Sequence, residues 1–251
     1  MKAMNPLAIK AMVLAAGRGE RMRPLTDHCP KPLLQVAGRP LIDWHARALA
    51  RGGFTALVVN TAWLGAQIEG HFSPERKQAI DRALSISYSH EGADFGGALE
   101  TAGGIARALP LLGEAFWVVA GDVFVPGFEF TQDAVRRFLA SDKLAHLWLV
   151  PNPAHHPHGD FGLSPEGLAL NLPAGDPAPR HTYSTIGLYR RTLFDSLPAG
   201  NPQGERAALA PLLRAAMARG QVSAELYAGA WTDVGTPERL AALNRAPLPA
   251  A

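Results

Sequence analysis

The sequence predicts an α/β protein built on a mostly parallel, twisted sheet flanked by helices. Short apolar runs alternate with segments of helical spacing, and the candidate strands are apolar along their whole length. Strands of that kind suit a sheet covered by helices on both faces. Hydrophobic residues make up 47% of the 251 residues, enough for a substantial core.

In chain order, Ala11–Ala15 reads as the first strand. Leu41–Arg51 places Leu41, Ile42, His45 and Leu49 at helical spacing and stops at Gly52-Gly53. Ala56–Asn60 is a second strand, and Leu64–Phe72 a short helix with Leu64, Ile68 and Phe72 on one face. Leu84–Ser89 alternates as a third strand, Thr101–Leu109 is a helix closed by Pro110, and Ala115–Ala120 is an apolar strand ending at Gly121-Asp122. The second half is less regular. Thr131–Leu139 reads as a helix, Ala145–Val150 as a strand, and Pro151–Pro179, rich in Pro, Gly and His, as loops with short strands. Tyr183–Tyr189 and Val222–Tyr227 read as strands, Arg206–Arg219 and Glu238–Asn244 as helices. The loop 74–82 looks like an insertion, as does the extended N-terminus. With no clean linker or internal repeat, 1–251 is expected to form a single domain with halves at 11–125 and 126–245, and flexible ends at 1–9 and 246–251.

A formal net charge of +2 with scattered basic residues gives no reason to expect nucleic-acid binding. The lone Cys29 excludes an internal disulfide framework and a cysteine-based zinc site, and in its Pro-rich loop it is read as a bystander thiol rather than a nucleophile. The N-terminus lacks the features of a signal peptide, and no apolar stretch approaches the ~20 residues of a membrane span. A soluble, cytoplasmic protein is expected.

The most telling stretch is AMVLAAGRGERMRPLTDHCPK, from Ala11 to Lys31. It runs strand, glycine turn, fixed cations. Gly17 and Gly19 let backbone N–H groups approach phosphate oxygens. The dinucleotide-binding spacing would need glycine where Met22 stands, and no Gly-Lys-Ser/Thr follows, so neither common phosphate loop applies. In open sheets ligands bind at the carboxyl ends of strands. The Gly17 turn and Asp122 both lie at such ends. A lone Gly-Asp also fits an ordinary turn or helix cap.

The string LAAGRGERMRPLT with PKPL, Gly121-Asp122 and WTDVGTP resembles the signature of the sugar-1-phosphate nucleotidylyltransferases, over nearly the whole chain. The resemblance implies the Rossmann-like fold of that class and two partners, a nucleoside triphosphate and a sugar 1-phosphate. It also implies Mg²⁺, held by Asp122 and Asp233. Arg21 is assigned to the β- and γ-phosphates, and Lys31 to the α-phosphate and the incoming sugar phosphate. For Arg18 and Arg23 a solvated or structural role stands equally open. The nucleotide side is assigned Leu14, Ala15, Gly17, Gly19, Glu20, Glu91, Gly92 and Gly121. The sugar side is assigned Asn60, Glu100, Gly159, Asp160 and Asp176. Glu100 could instead be a favourable charge at a helix start, and Asn60 a cap.

Within the family, VVNTAWL, LETAGGI, HHPHGDF and the short tail WTDVGTPERL resemble the compact members that join UTP to N-acetylmuramic acid 1-phosphate in cell-wall sugar recycling. Ala102 departs from their glycine-rich run. No hexapeptide repeat follows Val234 to suggest an attached β-helix. Mannose or glucose phosphates are the alternative substrates. A non-catalytic sugar-nucleotide-binding relative is the alternative class, although it would be expected to lack Arg21, Lys31 or an aspartate of the metal pair. A glycosyltransferase would need an Asp-x-Asp that Gly121-Asp122-Val123 lacks. The histidines at 155, 156 and 158 are read as a surface loop, since no further zinc ligands stand at suitable spacing. Arg180 and His181 would suit a sugar bearing a carboxylate. A monomer or small homo-oligomer is expected.

Overall fold

A computed structural model describes residues 9–247, so the expected flexible ends lie largely outside the described residues. β1 (Lys10–Leu14) leads through a loop of 3-10 turns into the hairpin of β2 (Gln35–Val36) and β3 (Arg39–Pro40), then α1 (Leu41–Arg51). β4 (Ala56–Thr61), α2 (Gly65–His71), α3 (Pro74–Ile80), β5 (Ser85–His90), α4 (Glu91–Phe95), α5 (Glu100–Ala108) and β6 (Ala115–Ala120) follow. The second half runs β7 (Val123–Phe124), α6 (Gln132–Ala140), β8 (Ala145–Val150), β9 (Phe161–Leu163), β10 (Ala169–Leu170) and β11 (Arg180–Arg190). It ends with α7 (Leu209–Met217), β12 (Val222–Leu226), β13 (Thr232–Asp233) and α8 (Pro237–Arg245).

The main sheet has the order β5-β4-β1-β6-β11-β8-β12, with β9 and β10 extending from the N-terminal part of β11. β1 pairs in parallel with β4 and β6, and β4 with β5. β11 runs antiparallel to both β6 and β8, and β12 is parallel to β8. All strands of this row except β11 therefore point one way, as the apolar runs predict. Chain order reverses between β1 and β6: one connection leads outward to β4, the other returns to β6. That is a topological switch point, where a crevice opens at the carboxyl ends of the strands.

Alternation along each strand divides the core into two layers. Val13, Val59, Trp117 and Val119 pack with Ile42 and Leu49 of α1, Ile68 of α2 and Val135 of α6. Met12, Val58, Phe116 and Val118 face Ile105 of α5 and Leu213 of α7 on the other side. Strands with apolar residues in both phases can only be covered on both faces.

The insertion expected at 74–82 is mostly helix. Pro74 takes the first helical position and the Ser73 hydroxyl accepts from Arg76 N–H at 3.3 Å. The helix read from Arg206 begins only at Leu209, because Ala207 is engaged elsewhere. Its carbonyl accepts from Ala102 N–H and Gly103 N–H, and its N–H donates to Leu99 O. This extended strap holds the start of α7 against the start of α5.

Candidate active site

A cavity of about 810 Å³ opens at the switch point, walled by the ends of β1 and β6, the Gly17 loop, the start of α5, β11 and α7. The two strand ends are joined where Gly121 N–H donates to Leu14 O at 2.8 Å. A Cβ on Gly121 would stand 2.8 Å from that same oxygen, so glycine is required for the join. Gly121 itself does not line the cavity. Gly17 does, and a Cβ there would meet no protein atom within 4 Å. The room it leaves is room for a ligand.

The structure separates the four cations of the loop, which sequence could not. Arg18 donates to Asp27 Oδ1 at 2.9 Å and to Thr26 O at 2.8 Å, and lies 3.7 Å over the Trp63 ring. Arg23 also donates to Asp27 Oδ1, at 2.9 Å. The Arg18 hydrogen bond, with Arg23 beside it, holds the Asp27 carboxyl below its ordinary range. Both arginines thus bind the loop to itself, and neither lines the cavity. Arg21 lines the cavity and makes no hydrogen bond or ion pair among the described residues. Lys31 is buried, and its stem passes beneath Gly19, where a Cβ would stand 3.4 Å from Lys31 Cβ. Gly19 has φ 68°, so glycine serves there both the left-handed turn and the close approach. Lys31 Nζ meets Asp122 Oδ2 at 2.5 Å.

Behind the loop runs a buried strut. Ala15 N–H donates to Asn60 Oδ1 at 2.7 Å, Asn60 Nδ2 donates to Glu91 Oε1 at 2.6 Å, and Leu99 N–H donates to Glu91 Oε2 at 2.7 Å. Burial pushes the Glu91 carboxyl above its usual range, opposed by the donors from Leu99 and Asn60. Asn60 and Glu91 both reach the cavity wall. In this structure both side chains are engaged with each other and with the Ala15 and Leu99 backbone. The strut also explains the glycine run. A Cβ on Gly104 would lie 2.4 Å from Glu91 Oε1, and one on Gly103 2.4 Å from Glu205 O. Ala102, which departs from the family's glycines, sits fully buried in the core, where a methyl group is accepted.

Gly104→Ala is therefore expected to destabilise the protein by about 1–3 kcal/mol through overpacking. Gly97→Ala, where a Cβ meets nothing within 4 Å, should be close to neutral. Equilibrium urea unfolding of the two variants checks the contrast.

Asp122 stands on the cavity wall, and Asp233 on the neighbouring strand. Asp233 pairs with Val123, and Val234 N–H donates to Asp122 O at 2.9 Å, so the two acids' backbones are directly linked. Arg239 NH1 binds Asp233 Oδ2. Asp233 Oδ1 is buried and lacks a hydrogen bond, although His155 Nε2 stands 2.7 Å away. Two carboxylates whose backbones are linked, one with a buried oxygen approached only by the His155 imidazole, are a donor set suited to a hard cation such as Mg²⁺. Asp233 does not itself line the cavity, whereas Gly235 of the same turn does. Among the described residues no group of three or more His, Cys, Asp or Glu could hold a metal. His45 lies behind this corner. Burial pushes its pKa down to about 4, so it is neutral at pH 7, and its Nε2–H donates to Val123 O at 2.9 Å. Its helical spacing with Ile42 and Leu49 marked it as inward-facing, with no signal of this anchoring role.

Glu20, Glu100 and Asp160 also line the cavity, as do Leu14 and Ala15. Asp160 Oδ2 accepts from Tyr183 N–H at 2.8 Å, and His156 Nε2 lies 3.2 Å from Oδ1. The histidine loop thus touches both acid positions, at Asp233 and at Asp160. Glu100, with φ 61°, and Thr185, with φ 66°, are held in the left-handed region at the cavity. A β-branched residue at positive φ is strained, and nothing in sequence announced Thr185.

Besides Gly121 and Asp233, three expected residues fall outside the cavity wall: Gly92, Gly159 and Asp176. A Cβ on Gly92 would stand 2.6 Å from Ala62 Cα, and one on Gly159 2.6 Å from Asn152 Oδ1. Asp176 Oδ1 accepts from Ala178 N–H at 2.9 Å and closes a surface turn. Arg180 donates to Leu172 O at 3.0 Å and Pro173 O at 2.6 Å, and neither it nor His181 lines the cavity.

Residues 10–248 match the family described as nucleotidyl transferase, and the chain belongs to that family. The nucleotidylyltransferase resemblance read from the sequence is borne out, with its fold and reaction class. The chain is 49% identical to the N-acetylmuramate alpha-1-phosphate uridylyltransferase of Neisseria meningitidis, over 92% of this chain and 95% of that protein. It is 34% identical to the protein of the same description from Caulobacter vibrioides, over 94% and 96% of the two chains. A UDP-glucose pyrophosphorylase structure from Acinetobacter baumanii superposes with a TM-score of 0.73 at 18% identity, covering 95% of this chain and 92% of that one, a likeness of fold. Among the described residues no helix is long and apolar enough to cross a membrane.

Proposed function

We propose that this chain transfers the uridylyl group of UTP to N-acetylmuramic acid 1-phosphate, giving UDP-N-acetylmuramic acid and pyrophosphate. The observation that carries the nucleotidyl-transfer reading is the sorting of cations. Arg18 and Arg23 are tied to Asp27, while Arg21 and Lys31 line one cavity with Asp122. The choice of base and sugar rests on the 49% identity with the Neisseria relative.

A phosphate oxygen of the sugar 1-phosphate attacks the α-phosphorus of UTP. The new P–O bond forms as the bond to the bridging oxygen breaks, and pyrophosphate leaves with that electron pair. The nucleophile is already an anion, so the chain needs no general base, and the barrier is charge repulsion and charge build-up. Arg21 binds the β- and γ-phosphates and supports the charge developing on the leaving group. Lys31, a compact point charge, draws the α-phosphate and the sugar phosphate together. Phosphate oxygens compete there with Asp122 for the ammonium. Gly17 and Gly19 admit the triphosphate to the loop backbone. Asp122 and Asp233 would hold Mg²⁺, which supplies neutralisation of the phosphate oxygens. His45 and the Asn60–Glu91 strut keep the two strand ends in place. The sequence before about residue 125 then serves the nucleotide and 126–245 the sugar, in a cytoplasmic enzyme supplied with UTP.

Pyrophosphate release tests this across UTP, dTTP, GTP and CTP, each with the 1-phosphates of N-acetylmuramic acid, glucose, mannose and glucosamine. Release is expected to be highest with UTP and the muramic substrate. Preference for GTP with mannose 1-phosphate would overturn the substrate and keep the reaction. No release from any pair would favour a binding protein without activity.

A further inference from the structure

Three cationic side chains line the cavity: Arg21, Lys31 and Arg214. The first two belong to the phosphate chemistry. The third lies on α7, in the half that the proposed function gives to the sugar, and that function does not use it.

Arg214 is exposed, faces the cavity and makes no hydrogen bond or ion pair through its side chain among the described residues. Three other arginines near the strands of this half are engaged. Arg190 donates to Lys143 O at 2.9 Å, Arg191 to Leu109 O at 3.1 Å, and Arg219 to Gln221 Oε1 at 2.7 Å. Helical spacing sets Arg214 four residues from Ala210, at the edge of the face on which Leu209 and Leu213 enter the core. The strap through Ala207, bonded to Leu99, Ala102 and Gly103, fixes where α7 begins. Arg214 therefore lines the cavity from an anchored helix, on a wall that also holds Phe161 and Tyr183.

We propose that Arg214 is the specificity residue for a carboxylate on the sugar, binding the lactyl acid that distinguishes N-acetylmuramic acid from N-acetylglucosamine. This rests on the muramic reading above. A guanidinium pairs with a carboxylate through two parallel N–H···O bonds, and a neutral sugar offers it no such partner. The neighbouring apolar side chains lower the competition from water. Arg180 and His181, the sequence candidates for this task, lie outside the cavity wall, and Arg180 is spent on two carbonyls.

The test compares wild type, Arg214→Gln and Arg214→Lys on three substrates with UTP. These are N-acetylmuramic acid 1-phosphate, its lactyl carboxamide analogue and N-acetylglucosamine 1-phosphate. Wild type is expected to prefer the acid over the amide on the order of 10–100-fold in kcat/KM, mostly through KM. Arg214→Gln should reduce that preference to within about threefold, leave the KM for UTP unchanged and leave the neutral sugar unaffected. Arg214→Lys should retain part of the preference. Equal loss on all three substrates, or a preference that survives in Arg214→Gln, would overturn the assignment. If the variants fail to fold, wild type alone decides, since equal use of acid and amide refutes it. That result leaves the muramic reading intact. No turnover of N-acetylmuramic acid 1-phosphate by wild type removes both.

Discussion

Replacing Lys31 with alanine is expected to slow nucleotidyl transfer on the order of 10²–10³-fold while leaving UTP affinity nearly unchanged. Arg21 and the glycine loop remain to bind the triphosphate. What is lost is a cation fixed where negative groups must meet. Lys31 is suited to that task because its stem is buried under Gly19 and between prolines, and its ammonium meets Asp122 at the cavity wall. That burial also makes alanine a packing change. Lys31→Met keeps the apolar stem and removes the charge, so it should reproduce the loss in turnover with a smaller change in stability. Single-turnover rates at saturating substrates, with calorimetric UTP binding, separate the two effects. An unchanged rate in both variants would remove Lys31 from the reaction.

Asp122→Asn is expected to lower turnover by a comparable or larger factor, on the order of 10³-fold, and to raise the Mg²⁺ concentration needed for half-maximal rate. Asparagine matches aspartate in shape but lacks the charge that attracts a hard cation. Stability should change little. The side chain of Asp122 is 38% exposed, so its ion pair with Lys31 is screened and worth at most about 1 kcal/mol. Thermal unfolding and a metal titration of pyrophosphate release distinguish lost chemistry from lost fold. Normal turnover with an unshifted metal requirement would exclude Asp122 as a ligand.

The parallel half was legible because β1, β4 and β6 are apolar in both phases, β5 alternates, and most of the loops are marked by glycine or proline. The first loop was legible as a phosphate site because glycines and cations fall in a fixed order. Which arginine is free was not legible. That depends on where Asp27 and Trp63 arrive in space, and Asp27 claims two of the three arginines. α3 was missed because it buries no side chain and so shows no apolar stripe, although Ser73-Pro74 carried a start signal. Glu91 is assigned to the nucleotide side through the resemblance, since it precedes the segment Leu99–Gly104. Its burial follows from two donors that sequence cannot place. Thr185 and Arg214 owe their positions to a bulge in β11 and to the Ala207 strap, both products of long-range pairing.

β11 hydrogen-bonds to β6 on one edge and β8 on the other, so the strands of the first and second halves of the chain form one continuous ribbon. Trp117 and Trp148 lie close across it, their ring centroids 4.9 Å apart. Such a frame has no hinge between its halves, and the distance separating the two substrates is set by strand spacing. Closure over the reactants then falls to the connecting segments, and the floor beneath them holds a constant width throughout the catalytic cycle.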